Sequence, residues 1–124
     1  MRALASDYPD TVVRKFVRVS DLDELWAGEM IGVEVEGIRV LLVHTDDGII
    51  QAVQAMCPHQ AVAFENGELC GKTLICAAHR WQIDVATGMG VNPGHARIAL
   101  YPTKVEDGQI YVSVAGIEAK HCKP

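Results

Sequence analysis

Cys57-Pro58-His59-Gln60 ("CPHQ") and Cys76-Ala77-Ala78-His79 ("CAAH") each carry one cysteine followed by one histidine, with sixteen residues between His59 and Cys76. A structural zinc finger draws its cysteines as C-x2-4-C and its histidines as H-x3-5-H, each pair from one element. Here the two residue types alternate along the chain instead. A binuclear iron centre accounts for that order. Each segment gives its cysteine to one iron and its histidine to the other, so that both segments clamp the pair. Cys57 and Cys76 then share one iron, and His59 and His79 share the second. Two unrelated Cys/His pairs, or a single zinc on the same four side chains, are the competing readings. With neutral imidazole in place of two thiolates, the shell loses two negative charges and an added electron is accepted more readily.

Around these segments the composition is that of a folded domain. The 124 residues are 49% apolar and 22% charged, enough for one domain with a core and unlike a disordered chain. The net charge is −5, and the eleven basic residues are scattered. Nothing supplies the basic stripe that nucleic acid or an anionic membrane requires, and an acidic surface suits a cationic protein partner. Arg2, Asp7, Asp10, Arg14, Lys15 and Arg18 interrupt the first 25 residues, which leaves no signal peptide, and no window approaches a membrane span. The expectation is a cytoplasmic protein. In that compartment four cysteines read as ligands or free thiols rather than disulfides. Cys70 and Cys122 are expected to be spectators. His44, His95 and His121 are expected to be ordinary polar or packed histidines, and Asp46-Asp47 a solvated turn. For Trp81, packing under its loop is weighed against a contact face or shield near the metal.

The flanking sequence is almost all β. "VVRKFVRV" at 12–19 mixes β-branched and basic residues as an edge strand does. Ser20 heads "SDLDELWAGEM" as an N-cap for a short helical turn ending near Gly28, with Asp21, Asp23 and Glu24 in its first turn. Residues 31–55 hold three short strands punctuated by Gly37 and Asp47-Gly48. Residues 100–114 repeat the device, with Asp107-Gly108 as the turn and Ile110, Val112 and Val114 alternating against Gln109, Tyr111 and Ser113. These hairpins predict a sandwich or small barrel over 11–116, with polar ends at 1–10 and 117–124. Residues 56–95 differ: Pro58, Gly67, Gly71, Gly88, Gly90, Pro93 and Gly94 break them into loops, and both Cys/His pairs fall there.

On these residues the chain resembles a bacterial Rieske-type ferredoxin. More narrowly, "GEM" at 28–30, "QAMCPHQ" at 54–60, "NPG" at 92–94 and "IYVSVAGI" at 110–117 are similar to the Rieske ferredoxin components of diiron monooxygenases acting on toluene or alkenes. The resemblance implies an all-β fold, the Rieske β-sandwich with a small cluster-binding subdomain at about 56–95. It implies a Rieske-type [2Fe–2S] cluster on Cys57, His59, Cys76 and His79, and a third loop, "TGMGVNPG" with Pro93, covering it. It further implies no catalysis by the chain itself. The chain carries electrons from an NADH-dependent flavin reductase to the hydroxylase component of a multicomponent monooxygenase, with a ring-hydroxylating dioxygenase system as the alternative. A catalytic oxygenase fragment fits less well, because no facial-triad segment follows residue 100. Respiratory and photosynthetic Rieske proteins carry an extra, disulfide-forming cysteine in each ligand loop, where this chain has Val62 and Ala78, and hydroxyl residues after the second histidine, where it has Arg80-Trp81. Amides around Gln60–Ala63 and Ala78–Trp81 remain as the expected donors to the cluster sulfurs, and fewer donors imply a low potential within the class.

Overall fold

"IRVLLVH" decides the architecture, because a run of consecutive apolar residues can be buried only where a strand is covered on both faces. The computed structural model describes residues 15–59, 62–78 and 80–121. In it these residues form β3 (Ile38–His44), the centre of an antiparallel sheet ordered β2-β3-β4-β9, with β2 at Met30–Val35, β4 at Ile50–Gln54 and β9 at Leu100–Tyr101. Val40 and Leu42 enter one core with Ala52, Tyr101, Ile110 and Val112. Leu41 and Val43, pointing the other way, enter a second core with Val53, Phe64, Leu74 and Ile83. All four residues of Val40–Val43 are fully buried.

The first core is closed by a three-stranded sheet ordered β1-β11-β10, with β1 at Val17–Asp21, β10 at Thr103–Glu106 and β11 at Gln109–Val112. The second is closed by four short strands in sequence order: β5 (Glu68–Cys70), β6 (Thr73–Ile75), β7 (Gln82–Asp84) and β8 (Met89–Asn92). Two turns fix the hairpin registers. Glu36-Gly37 (φ 51° and 83°) and Asp107-Gly108 (φ 52° and 75°) both place two successive residues at positive φ, the backbone of a two-residue turn whose twist matches its strands.

The structure moves two local expectations. The helical turn is a 3-10 turn at Leu22–Glu24 preceded by Asp21, with no side-chain cap. Ser20 lies in β1, because pairing with β11 continues to Asp21↔Gln109, and its hydroxyl is spent on Asp21 O (3.0 Å) and Glu24 Oε1 (3.3 Å). The alternation in the last hairpin stops at Val112: Ser113 is buried with its neighbours, and its N–H donates to Pro102 O (3.1 Å). Among the described residues β1 pairs with β11 alone, at the edge of its sheet, as its composition predicts. Residues 12–14 of that segment and the polar end at 1–10 lie outside the described residues.

Candidate metal centre

Cys57 stands three residues beyond the end of β4, and Cys76 follows β6 directly. Both are buried in the second core, at 4% and 0% exposure. Their loops share one base. Cys57 N–H donates to Val62 O and Cys76 N–H to Trp81 O, each at 2.9 Å and each five residues ahead. Below the first loop, Phe64 N–H donates to Ala55 O (2.8 Å) and Met56 bridges Ala63, so the loop continues the β4 edge. The second is tightened by Arg80, at φ 57°, whose N–H donates to Cys76 O (2.9 Å). That bond commits the Arg80 amide, one of the donors expected for the cluster sulfurs, to a backbone carbonyl.

His59 lies flat against Trp81, ring centroids 4.6 Å apart and planes 3° from parallel. Its Nδ1 is buried although the side chain is half-exposed, so one ring edge faces inward and another reaches the surface. Trp81 is 8% exposed, and His95 meets it edge-on at 5.4 Å and 76°. Packing is what the structure shows for Trp81: it is buried, and its ring lies on that of His59. His95 comes from the third loop, which turns through a cis Asn92–Pro93 bond and closes with Gly90 N–H on Ala96 O (2.8 Å) and Ala96 N–H on Pro93 O (3.2 Å). A side chain at Gly90 would run into Pro93 O. His95 is exposed rather than packed in the core, with its ring edge-on to Trp81; the sequence signal was its position two residues after Pro93 in the covering loop.

The other singled-out residues fall elsewhere. Cys70 ends β5 and is exposed. His44 Nδ1 is 2.8 Å from Leu25 O, and His121 is exposed in the C-terminal segment. In the Asp46-Asp47 turn the Thr45 hydroxyl donates to the Asp47 carboxylate and Lys72 Nζ lies 3.3 Å from it. The hydroxyl bond foremost, then Lys72, holds the Asp47 carboxyl below its ordinary range. Gln60, His79 and Cys122 lie outside the described residues, and among the described residues no three His, Cys, Asp or Glu side chains converge on one metal position. The donors that are described suit an iron–sulfur group: two buried thiols at the inner end and an imidazole with an inward-facing nitrogen at the outer end.

The chain belongs to the Rieske [2Fe–2S] domain family, which it matches over residues 15–102, and its cofactor is the Rieske-type [2Fe–2S] cluster. It is 39% identical over 99 residues to the ferredoxin component of the alkene monooxygenase system of Xanthobacter autotrophicus (strain ATCC BAA-1158 / Py2), covering 79% of this chain and 80% of that one. It is 28% identical over 102 residues to the ferredoxin component of the naphthalene 1,2-dioxygenase system of Pseudomonas putida, covering 82% and 97%. The ferredoxin of carbazole 1,9a-dioxygenase from Nocardioides aromaticivorans IC177 superposes with a TM-score of 0.72 at 27% identity, covering 78% of this chain and 95% of that one.

Proposed function

We propose that this protein is the electron-carrying ferredoxin of a multicomponent monooxygenase, that Cys57 and Cys76 hold one iron of its cluster, and that His59 and His79 hold the other. The bound cluster supplies a reversible one-electron step. The protein's own residues set how that step is reached. Cys57 and Cys76 anchor the inner end in the core that supports both loops. His59, half-exposed and backed by Trp81, offers a short path to a docked partner. The observation that carries the reading is the pair of loops each closed by a cysteine N–H bond to the carbonyl five residues ahead, and each presenting that cysteine buried. Its donor is an NADH-dependent flavin reductase, its acceptor is the hydroxylase component of an aromatic or alkene monooxygenase, and its compartment is the cytoplasm. Among the described residues no helix is long and apolar enough to cross a membrane.

The test has two stages. Purified protein is brown, contains iron and labile sulfide in equal amounts, and on reduction shows an electron paramagnetic resonance spectrum of low average g value. Mixed with oxygenases, the reduced protein is then reoxidised faster by a diiron hydroxylase than by a Rieske dioxygenase. The reverse order would favour a ring-hydroxylating system, the reading supported by the likeness to the naphthalene dioxygenase ferredoxin.

Two quantities follow. The midpoint potential is expected near the lower end of the Rieske range, about −150 mV. The positions that carry a disulfide in respiratory proteins are Val62 and Ala78, hydroxyl donors after the second histidine are replaced by Arg80-Trp81, and the Arg80 amide is committed to Cys76 O. A redox titration giving about +300 mV, the upper end of that range, would exclude this account. Steering by the −5 charge predicts that the second-order rate of reduction falls on the order of tenfold as salt shortens the screening length. A stopped-flow series against ionic strength measures it, and a flat profile contradicts it.

A further inference from the structure

A glutamine in the middle of the sequence holds together three segments that the ligand motif does not connect. Gln54, the last residue of β4, is 2% exposed. Its Nε2 donates to Met56 O (2.9 Å) and to Lys120 O (3.1 Å), while its Oε1 accepts from Ala99 N–H (2.8 Å) and Lys120 N–H (2.8 Å). A carboxamide has two donors and two accepting lone pairs, and all four are used. The network also fixes which end is which, since the flipped amide would set oxygen against two carbonyls and NH2 against two N–H groups. The Gln54 main chain adds a fifth link, its N–H donating to Ala99 O (3.0 Å).

The three segments are informative. Met56 is the residue before Cys57, Ala99 lies between the third loop and β9, and Lys120 belongs to the C-terminal segment. That segment reads from the sequence as a polar end, yet Lys120 is bound by both its N–H and its C=O to one buried side chain, and Ile117 packs on the first core.

We infer that Gln54 is a positioning residue for the first ligand loop, and that residues 118–121 act through it as a remote support of the metal centre. The inference rests on the ligand assignment proposed for Cys57. Without the Gln54 carboxamide, Met56 O loses its donor, and of the two bonds that hold the Met56–Cys57 peptide plane only the Cys57 N–H bond to Val62 O is kept. Without Lys120, two of the four bonds that fix the carboxamide disappear, and Gln54 is no longer held in the orientation that serves Met56.

The experiment compares the iron-loaded parent with Gln54→Ala, Gln54→Glu, a truncation ending after Ile117, and the truncation combined with Gln54→Ala. Readouts are the rate of iron release to a chelator, the electron paramagnetic resonance line shape of the reduced protein, and the midpoint potential. Far-UV circular dichroism checks folding. The truncation, which keeps Ile117 and every strand of the described residues, is expected to release iron about tenfold faster, the rate effect of roughly one lost hydrogen bond, with an altered line shape. Gln54→Glu keeps both acceptors but loses both donors, so it is expected to match Gln54→Ala at the cluster. The combined variant is expected to be no worse than Gln54→Ala, because the two changes remove one device. A truncation with parental release rate, line shape and potential would overturn the inference, as would effects that simply add. A parent that takes up no iron would instead defeat the ligand assignment, so the two failures are distinguishable.

Discussion

Cys76→Ala is expected to yield a folded protein that retains no cluster. Cys76 is fully buried, it follows β6 without an intervening residue, and its N–H and C=O are both used inside its own loop. The backbone that presents the sulfur is therefore fixed by bonds the substitution leaves in place. Removing one sulfur from a buried core costs little packing, so far-UV circular dichroism should be unchanged. The metal loss should exceed the 10–100-fold that changes outside the ligand shell produce. Cys70→Ala is the matched control: that thiol is exposed at the end of β5 and should leave iron content and visible spectrum as they were. His59→Ala tests the outer end in the same way and should remove the stacked partner of Trp81 as well. Retention of a native spectrum by Cys76→Ala, measured with iron and sulfide content, would refute the assignment.

What the sequence made legible divides along a physical line. The alternating Cys/His order could be read because ligand chemistry depends on residue type and spacing, both of which a sequence contains. The turns at Gly37 and Asp107-Gly108 could be read because glycine and aspartate take positive φ readily, whereas Glu36, at φ 51°, gives no such sign. Features set by pairing across the fold could not. Ser20 has the composition of a cap and became a strand residue because β11 continues alongside it. His95 carries no sign of its place against Trp81 beyond its position in the covering loop. Gln54 is a polar residue after an apolar pair, a pattern that reads as a solvent-facing strand end, and its burial depends on partners 45 and 66 residues away. "IRVLLVH" shows a strand without polar alternation, but the sheet that covers each face is visible only in three dimensions.

Glycine gives the second large effect, and here the sequence shows a turn residue where the structure shows a shortage of space. Gly67 follows the 3-10 turn at Phe64–Asn66 and leads into β5, with φ −96°, a value open to any residue. Its constraint is steric. A Cβ at this position would collide with the carbonyl oxygen of Ile75, the residue immediately before Cys76, and would also crowd the Ala77 N–H at 3.2 Å. Those are backbone atoms held by the Glu68↔Ile75 pairing and by the Cys76–Trp81 bond, so neither can swing aside as a flexible side chain would. Gly67→Ala must therefore displace the end of β6, and with it Cys76. A forced contact of this kind costs about 2–3 kcal/mol, a fall in melting temperature of roughly 10 °C for a domain of this size, together with loss of iron. Gly71→Ala separates space from backbone strain. Nothing lies within 4 Å of its would-be Cβ, but its φ is +62°, so it should lose only about 1 kcal/mol and keep the visible spectrum. Calorimetry and iron analysis on the two variants decide the matter. If Gly67→Ala melted and bound iron like the parent while Gly71→Ala did not, the position of the second ligand loop would be set by turn conformation rather than by the close approach of β5 to β6.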